Sequence, residues 1–426
     1  MARSAKTDDQ AAPGGNTVQA EPLASTRAPA TSATGVIDLF AGIGCVADGF
    51  AARGFEPLAL VDVDADARRT YVHNHPDANY LLRDVAQLTA ADVVEMVGDA
   101  AVGGVVGCPP CQGFSAAGAR KADDPRNRLL AAFFAAIDLF APLFFVMENV
   151  PSVVYQPELV RLLEERGEEW ATCIGVLNSA CYGLPQTRER AIVIGYRREL
   201  EVEPTLPPPT HFGRRPVFNY RAKKLALPSV DFVEALLGAP PHIGVPREKR
   251  VEMAALLPAD ATALLDLVTV GDAIGDLRPL VNAGFAADPS AYAAGLRHDG
   301  EPTNHEAWRH RPEMVAKLTA VVEGGRLETE RRYYSQAYGR LHRDGLARTI
   351  TTNFHNAGCG RFTHYVEPRT LTVREAARLQ GIRDSFEFVG DRSLQERLVG
   401  NAFPRPWAEA IASHVAAQLN GTLAAV

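Results

Sequence analysis

Cysteine is scarce in this chain, six among 426 residues, too few for a disulfide scaffold at this length and in keeping with a reducing cytosol. No run of about eighteen uninterrupted apolar residues occurs, which argues against a membrane-spanning helix. The richest stretch, 131–147, is broken by Asp138 and Pro142. The first 34 residues hold no apolar core of the kind a secretory signal needs, so a cytoplasmic protein is expected. Positive charge is not in excess either: 44 Lys and Arg against 51 Asp and Glu leave a net charge of −7. That excludes a generally basic nucleic-acid binder but not a local patch. Two patches exist: residues 186–250 hold 12 Lys and Arg against 7 Asp and Glu, and residues 331–348 hold five Arg against one Asp. Taken alone, each reads first as a solvated face.

What is present is ordinary globular material: 46% hydrophobic and 22% charged residues, with length for two or three domains at roughly 150 residues each. Residues 1–34 are rich in Ala, Pro, Gly, Ser and Thr without periodicity and read as a disordered tail. Short apolar runs at 36–40, 58–63, 102–106, 143–147, 171–177 and 191–196 read as buried strands. Helical stretches at 43–52, 65–73 and 128–140 alternate with them. The pattern indicates an α/β fold, a doubly wound and largely parallel sheet. After Tyr196 the rhythm stops, with four prolines in 204–209 and irregular sequence to about Val366. Helix returns at 372–379 and 407–419. The expected organisation is a tail at 1–34, a catalytic domain at 35–198, a smaller irregular domain at 199–389, and a segment at 390–426 that returns to the catalytic domain.

Four motifs carry chemistry. Asp38-Leu39-Phe40-Ala41-Gly42-Ile43-Gly44 puts glycines just past the first strand, where ligands of open α/β sheets bind and where glycine lets backbone approach them. With Ala47 it reads Gly-x-Gly-x-x-Ala, compatible with a dinucleotide fingerprint or with a structural turn. Asp62, at the end of the second strand, suits ribose hydroxyls. Gly107-Cys108-Pro109-Pro110-Cys111-Gln112-Gly113-Phe114-Ser115 follows another strand. Its Cys-x-x-Cys leaves three readings open: zinc ligands, which lack a second Cys/His cluster; a redox pair; or one nucleophilic thiolate with activating partners. Glu148-Asn149-Val150 and Gln186-Thr187-Arg188-Glu189-Arg190 sit at further strand ends, able to face one cleft or to be structural.

In combination these segments resemble the DNA (cytosine-5) methyltransferase family, of the bacterial modification type. Phe40 to Gly44, Pro110-Cys111-Gln112, Glu148-Asn149-Val150 and Gln186 to Arg190 occur in the family's order and spacing. Arg369-Thr370-Leu371-Thr372-Val373-Arg374-Glu375-Ala376-Ala377-Arg378-Leu379-Gln380-Gly381 is similar to its penultimate motif, and Gly400-Asn401-Ala402 to its last. The resemblance spans residues 35–416, leaving out most of 197–366. It departs from the family at Asp62, one methylene shorter than the usual Glu, at Val63, where an aromatic is common, and in the bulkier Phe403-Pro404-Arg405-Pro406.

The resemblance implies a Rossmann-like domain with a target-recognition domain in the irregular middle, so that the two basic clusters become phosphate contacts on duplex DNA. It implies S-adenosyl-L-methionine held by Phe40, Gly42, Gly44, Asp62, Asp84, Pro110 and Asn401, and no metal. Cys111 adds to carbon 6 of cytosine, Glu148 holds or protonates ring nitrogen 3, and Arg190 takes the ring carbonyl oxygen. Arg188 supports the cysteine loop or a phosphate, and Cys108 is a packed thiol. The cytosine must leave the duplex, since carbon 6 is reached only across the ring face, and residues 113–127 with Arg120, Lys121 and Arg126 suit a closing loop. A monomer on DNA is expected, beside a possible cognate restriction or defence-system protein. The alternatives are an RNA cytosine-5 methyltransferase of the same fold, a non-catalytic DNA-binding relative, and an NAD-dependent dehydrogenase, the last leaving Cys111 and Glu148 unused.

Overall fold

The computed structural model describes residues 34–110, 128–212, 265–281, 286–327 and 336–423. The expected tail, the loop 113–127 and Cys111 lie outside the described residues. Strands β1 (Gly35–Leu39), β2 (Glu56–Asp62), β3 (Tyr80–Leu82), β4 (Gly104–Gly107), β5 (Phe144–Asn149), β6 (Trp170–Asn178) and β8 (Glu189–Arg197) form one sheet. The short β7 (Gln186–Thr187) pairs outside it. The order is β3-β2-β1-β4-β5-β8-β6. Neighbours from β3 to β5 run parallel, while β8 runs antiparallel to both β5 and β6. The sheet is therefore mixed at one end. The reason is chain length: segment 179–188, which joins β6 to β8, is shorter than the dozen or so residues a parallel crossover needs.

Helices cover both faces, as alternating apolar runs require. Helices α3 (Ala90–Val97), α4 (Arg128–Phe140) and α5 (Pro157–Glu164) bury Val93, Phe133, Ile137 and Leu159 against one face, with Ile37, Val105 and Phe145. On the other face, α1 (Cys45–Ala51) and the helix Arg405–Leu423 bury Phe50, Trp407 and Ile411 against Val36, Val146 and Ile194. A third apolar cluster joins Ile43, Tyr71 of α2 (Ala65–Asn74) and Tyr80 to Val270, Ile350, Phe354, Ala376 and Leu398. The late part of the chain is thus built into the same core. Among the described residues no helix is long and apolar enough to cross a membrane.

The chain leaves β1 toward β2 and β3 on one side and takes up β4 and β5 on the other. The crevice between the carboxyl ends of β1 and β4 is the place where open α/β sheets bind ligands.

Candidate active site

The turn after β1 is held in backbone conformations that few side chains accept: φ is 56° at Phe40, 53° at Gly42 and 73° at Gly44. Gly42 is fixed from both sides, its N–H donating to Asp62 Oδ2 at 2.9 Å and its carbonyl accepting from Tyr80 at 2.7 Å. A Cβ on Gly42 would meet nothing within 4 Å. Asp62 uses its other oxygen to accept the Asp64 N–H at 2.9 Å. Asp64 in turn caps α2 and pairs with Arg397. Asp84 accepts the Ala86 N–H at 3.0 Å.

Beside this turn, β4 ends at Gly107, where a Cβ would come within 2.5 Å of the Leu39 carbonyl. The close approach sets the loop Cys108-Pro109-Pro110 against β1. Asn149, buried at the end of β5, donates its amide to the Pro109 carbonyl at 3.0 Å. Glu148 lies next to it on the opposite face of the strand. Its Oε1 stands 2.7 Å from Arg190 Nε, yet it is buried and accepts no aligned hydrogen bond. Arg188 is 5% exposed, and its Nε and Nη1 have no partner among the described residues. Burial, then the Arg190 charge, push the Arg188 guanidinium down to about 9, with Glu148 and Cys108 opposing. Cys108 packs against the apolar cluster under the helix Arg405–Leu423, as expected of a packed thiol, and burial raises its proton affinity well above that of a free thiol.

Phe40, Gly42, Asp62, Asp84, Pro110, Glu148, Arg188, Arg190 and Asn401 all line a single cavity of about 510 Å³. Gly44 stands behind it as the left-handed N-cap of α1, against the Tyr71 ring. Cys111, one residue beyond Pro110, lies outside the described residues. Sequence reasoning missed the Asn149 amide, although it stands within the quoted Glu-Asn-Val. It also missed a ladder joining three motifs: Gln186 donates to Leu379 O at 2.6 Å and Gln380 Oε1 at 2.9 Å, and Gln380 donates to Val399 O at 3.1 Å.

The basic clusters need correction. Arg340, counted among expected phosphate contacts, is 4% exposed and donates to the carbonyls of Leu318, Val321, His364 and Glu367. A guanidinium spent on four carbonyls serves the fold. Arg188 and Arg190 face the cavity, and Arg197 pairs with Glu169. Residues 213–250 and 331–335 of these clusters lie outside the described residues.

A glycine turn at the switch point of a Rossmann-like sheet, opening onto a buried carboxylate and two guanidiniums, defines a methyltransferase-type α/β domain. Residues 34–417 match the family model of C-5 cytosine-specific DNA methylases, and the chain belongs to that family. Type II methyltransferase M1.HphI of Haemophilus parahaemolyticus is 31% identical over 394 residues, covering 89% of this chain and 86% of that protein. Type II methyltransferase M.DdeI of Desulfomicrobium norvegicum is 27% identical over 420 residues, covering 89% and 88%. A solved chain described as a DNA modification methyltransferase encoded within an E. coli prophage shares the fold at TM-score 0.65 and 23% identity, covering 91% of this chain and 99% of that one.

Proposed function

We propose that this chain methylates carbon 5 of a cytosine flipped out of duplex DNA, using S-adenosyl-L-methionine and a covalent adduct through Cys111. The observation that carries the reading is the convergence, in one cavity, of a glycine turn, the Glu148–Arg190 ion pair and the buried Arg188 guanidinium. Among the described residues Arg188 Nε and Nη1 have no partner, an uncommon and costly state for buried donors in a finished fold. The cofactor fits the residues present. The open side of Gly42 leaves room that a Cβ would fill, the Asp62 and Asp84 carboxylates suit hydroxyl and amino donors, and Phe40, Pro110 and Asn401 complete the lining, with Gly44 shaping the turn from behind. When bound, S-adenosyl-L-methionine supplies an electrophilic methyl group on a sulfonium.

The protein's own part follows from the chemistry. The Cys111 thiolate forms a bond to carbon 6, and the electron pair moves toward carbon 5 and ring nitrogen 3. Glu148, held by Arg190, offers its carboxyl group to nitrogen 3 and its amino neighbour, sharing a proton as charge builds. Arg190 neutralises that carboxylate and reaches the ring carbonyl oxygen, while Arg188 is left to meet a phosphate or the cysteine loop. After methylation a base takes the carbon 5 proton and the Cys111 sulfur departs, restoring the ring. The segment 199–389 is assigned to target recognition, acting on duplex DNA as a monomer in the cytoplasm. Relatives named as Type II methyltransferases support a companion restriction or defence protein.

Bisulfite sequencing of DNA from cells expressing the chain should show methylated cytosines in one sequence context. Cys111→Ser should abolish them while binding of the same duplex persists. Full methylation by the serine variant would remove Cys111 from the mechanism, and labelling of tRNA in place of DNA would move the activity to RNA.

A further inference from the structure

The helix Arg392–Asn401 forms one wall of the cavity through Leu398, Gly400 and Asn401. Two neighbouring side chains anchor it on opposite sides. Arg397 pairs with Asp64, itself a cavity residue beside Asp62. Glu396, 1% exposed, turns the other way and is gripped twice by His355: the His355 backbone N–H donates to Oε1 at 2.8 Å, and ring Nδ1 meets Oε2. The imidazole packs against Trp308, with ring centroids 4.8 Å apart, and Arg392 lies over the same indole.

One turn further along this helix the same segment touches again. A Cβ on Gly400 would come within 2.5 Å of the Thr351 carbonyl carbon and the Thr352 nitrogen. Contacts four residues apart on the helix thus meet contacts four apart on the segment, 351 to 355. At its start that segment is tied to the active-site strand: Ala347 and Arg348 pair with Gln186 and Thr187, and Thr349 donates to the Thr187 carbonyl at 3.2 Å. Segment 347–355 therefore runs from the strand that leads into Arg188 and Arg190 to the wall that carries Asn401.

We propose that Glu396 is a positioning residue: clasped by His355, it sets the last turn of its helix against segment 347–355 and so holds the Gly400–Asn401 wall of the cofactor cavity in place. The proposal rests on reading that cavity as the cofactor site. It concerns affinity for the cofactor, because neither side chain is among those lining the cavity.

The test uses the full chain carrying Glu396→Ala, Glu396→Gln or His355→Ala. In the cofactor-free Glu396→Ala protein, hydrogen exchange at amides 398–402 should quicken about tenfold, the loss of hydrogen bonds to a buried carboxylate, while β1 and β4 keep their protection. Calorimetric titration should show S-adenosylhomocysteine bound about tenfold more weakly, with KM for S-adenosylmethionine rising alike and kcat within about threefold. Glu396→Gln keeps an acceptor for the His355 N–H and should recover most of the affinity. His355→Ala, which removes the ring bond and the packing on Trp308 but keeps the backbone N–H bond, should fall between. Unchanged affinity in Glu396→Ala, or exchange that quickens uniformly through the sheet, overturns the proposal. A wild-type chain that binds no S-adenosylhomocysteine would instead sink the cofactor reading, and exchange at 398–402 would still decide whether the clasp holds the wall.

Discussion

At the level of single residues, the two glycines after β1 answer to different constraints. Gly44 combines a φ of 73° with a Cβ position only 2.2 Å from the Tyr71 ring. That ring cannot swing aside: its hydroxyl donates to Asp48 at 3.0 Å and it stacks on His75 at 4.3 Å. Gly42 has a comparable φ but open space where a Cβ would go. Gly44→Ala should therefore cost about 2–4 kcal/mol of stability, from left-handed strain plus overpacking. Gly42→Ala should cost only about 1–2 kcal/mol from strain, yet weaken S-adenosylhomocysteine binding by intruding on the cavity. Urea unfolding and calorimetric titration of both variants check this. Equal stability losses, or an undiminished affinity in Gly42→Ala, would contradict the assignment of the open side of Gly42 to the cofactor.

Among the elements, those with an apolar signature of their own were legible. The expected strands at 36–40, 58–63, 143–147 and 191–196 and the helix at 128–140 correspond to β1, β2, β5, β8 and α4. The helix expected at 372–379 is Val373–Leu379, with Thr372 and Glu375 closing a reciprocal cap. β3 escaped because three residues carry no measurable period, and the reversal of β8 because direction leaves no trace in hydrophobicity. The site was legible where glycine, proline and carboxylate mark strand ends. It was not legible where polar side chains meet across the chain, as Gln186 and Gln380 do over 194 positions. Each stands within a motif of the sequence, but nothing in either motif pairs the two, and both are fully buried. Their ladder binds β7, the helix Val373–Leu379 and the helix Arg392–Asn401 into one unit. A double-mutant cycle with Gln186→Ala and Gln380→Ala should show a coupling energy of about 1 kcal/mol or more in urea unfolding. Additivity within about 0.4 kcal/mol would mean the three elements are held independently.

For the molecule as a whole, the buried polar network under segment 340–375 sets the response to acid. Arg369 bridges Glu367 and Glu375, and His364 lies over Glu375. His364 Nδ1 accepts the N–H groups of Val366 at 3.2 Å and Glu367 at 3.0 Å, so protonating it would break two hydrogen bonds. Burial, partly offset by Glu375, pushes this imidazole down from 6.5 to about 4. Burial also lowers His305, His310, His211 and His414. As pH falls below 6.5 the unfolded chain takes up protons that these folded imidazoles refuse, His364 down to about 4, so their contribution to stability falls with pH. Glu375 adds to this at lower pH: Arg369 holds its carboxyl well below the ordinary range despite burial, and stability present above about 4.5 is lost through acidification. Asp38 and Glu396 act in the opposite sense, since burial raises both and the folded state binds their protons first. Five imidazoles against two carboxyls predict a net loss of stability from pH 7 to 5, which Glu375 deepens below about 4.5. His364→Gln removes one refusing group whose full effect is on the order of 3 kcal/mol by pH 4. Its stability should decline less steeply than that of the wild type over the same interval in urea unfolding at pH 7, 6 and 5. Parallel curves for the two proteins would show that His364 accepts its proton in the folded state, and that the two backbone donors to Nδ1 do not hold it neutral.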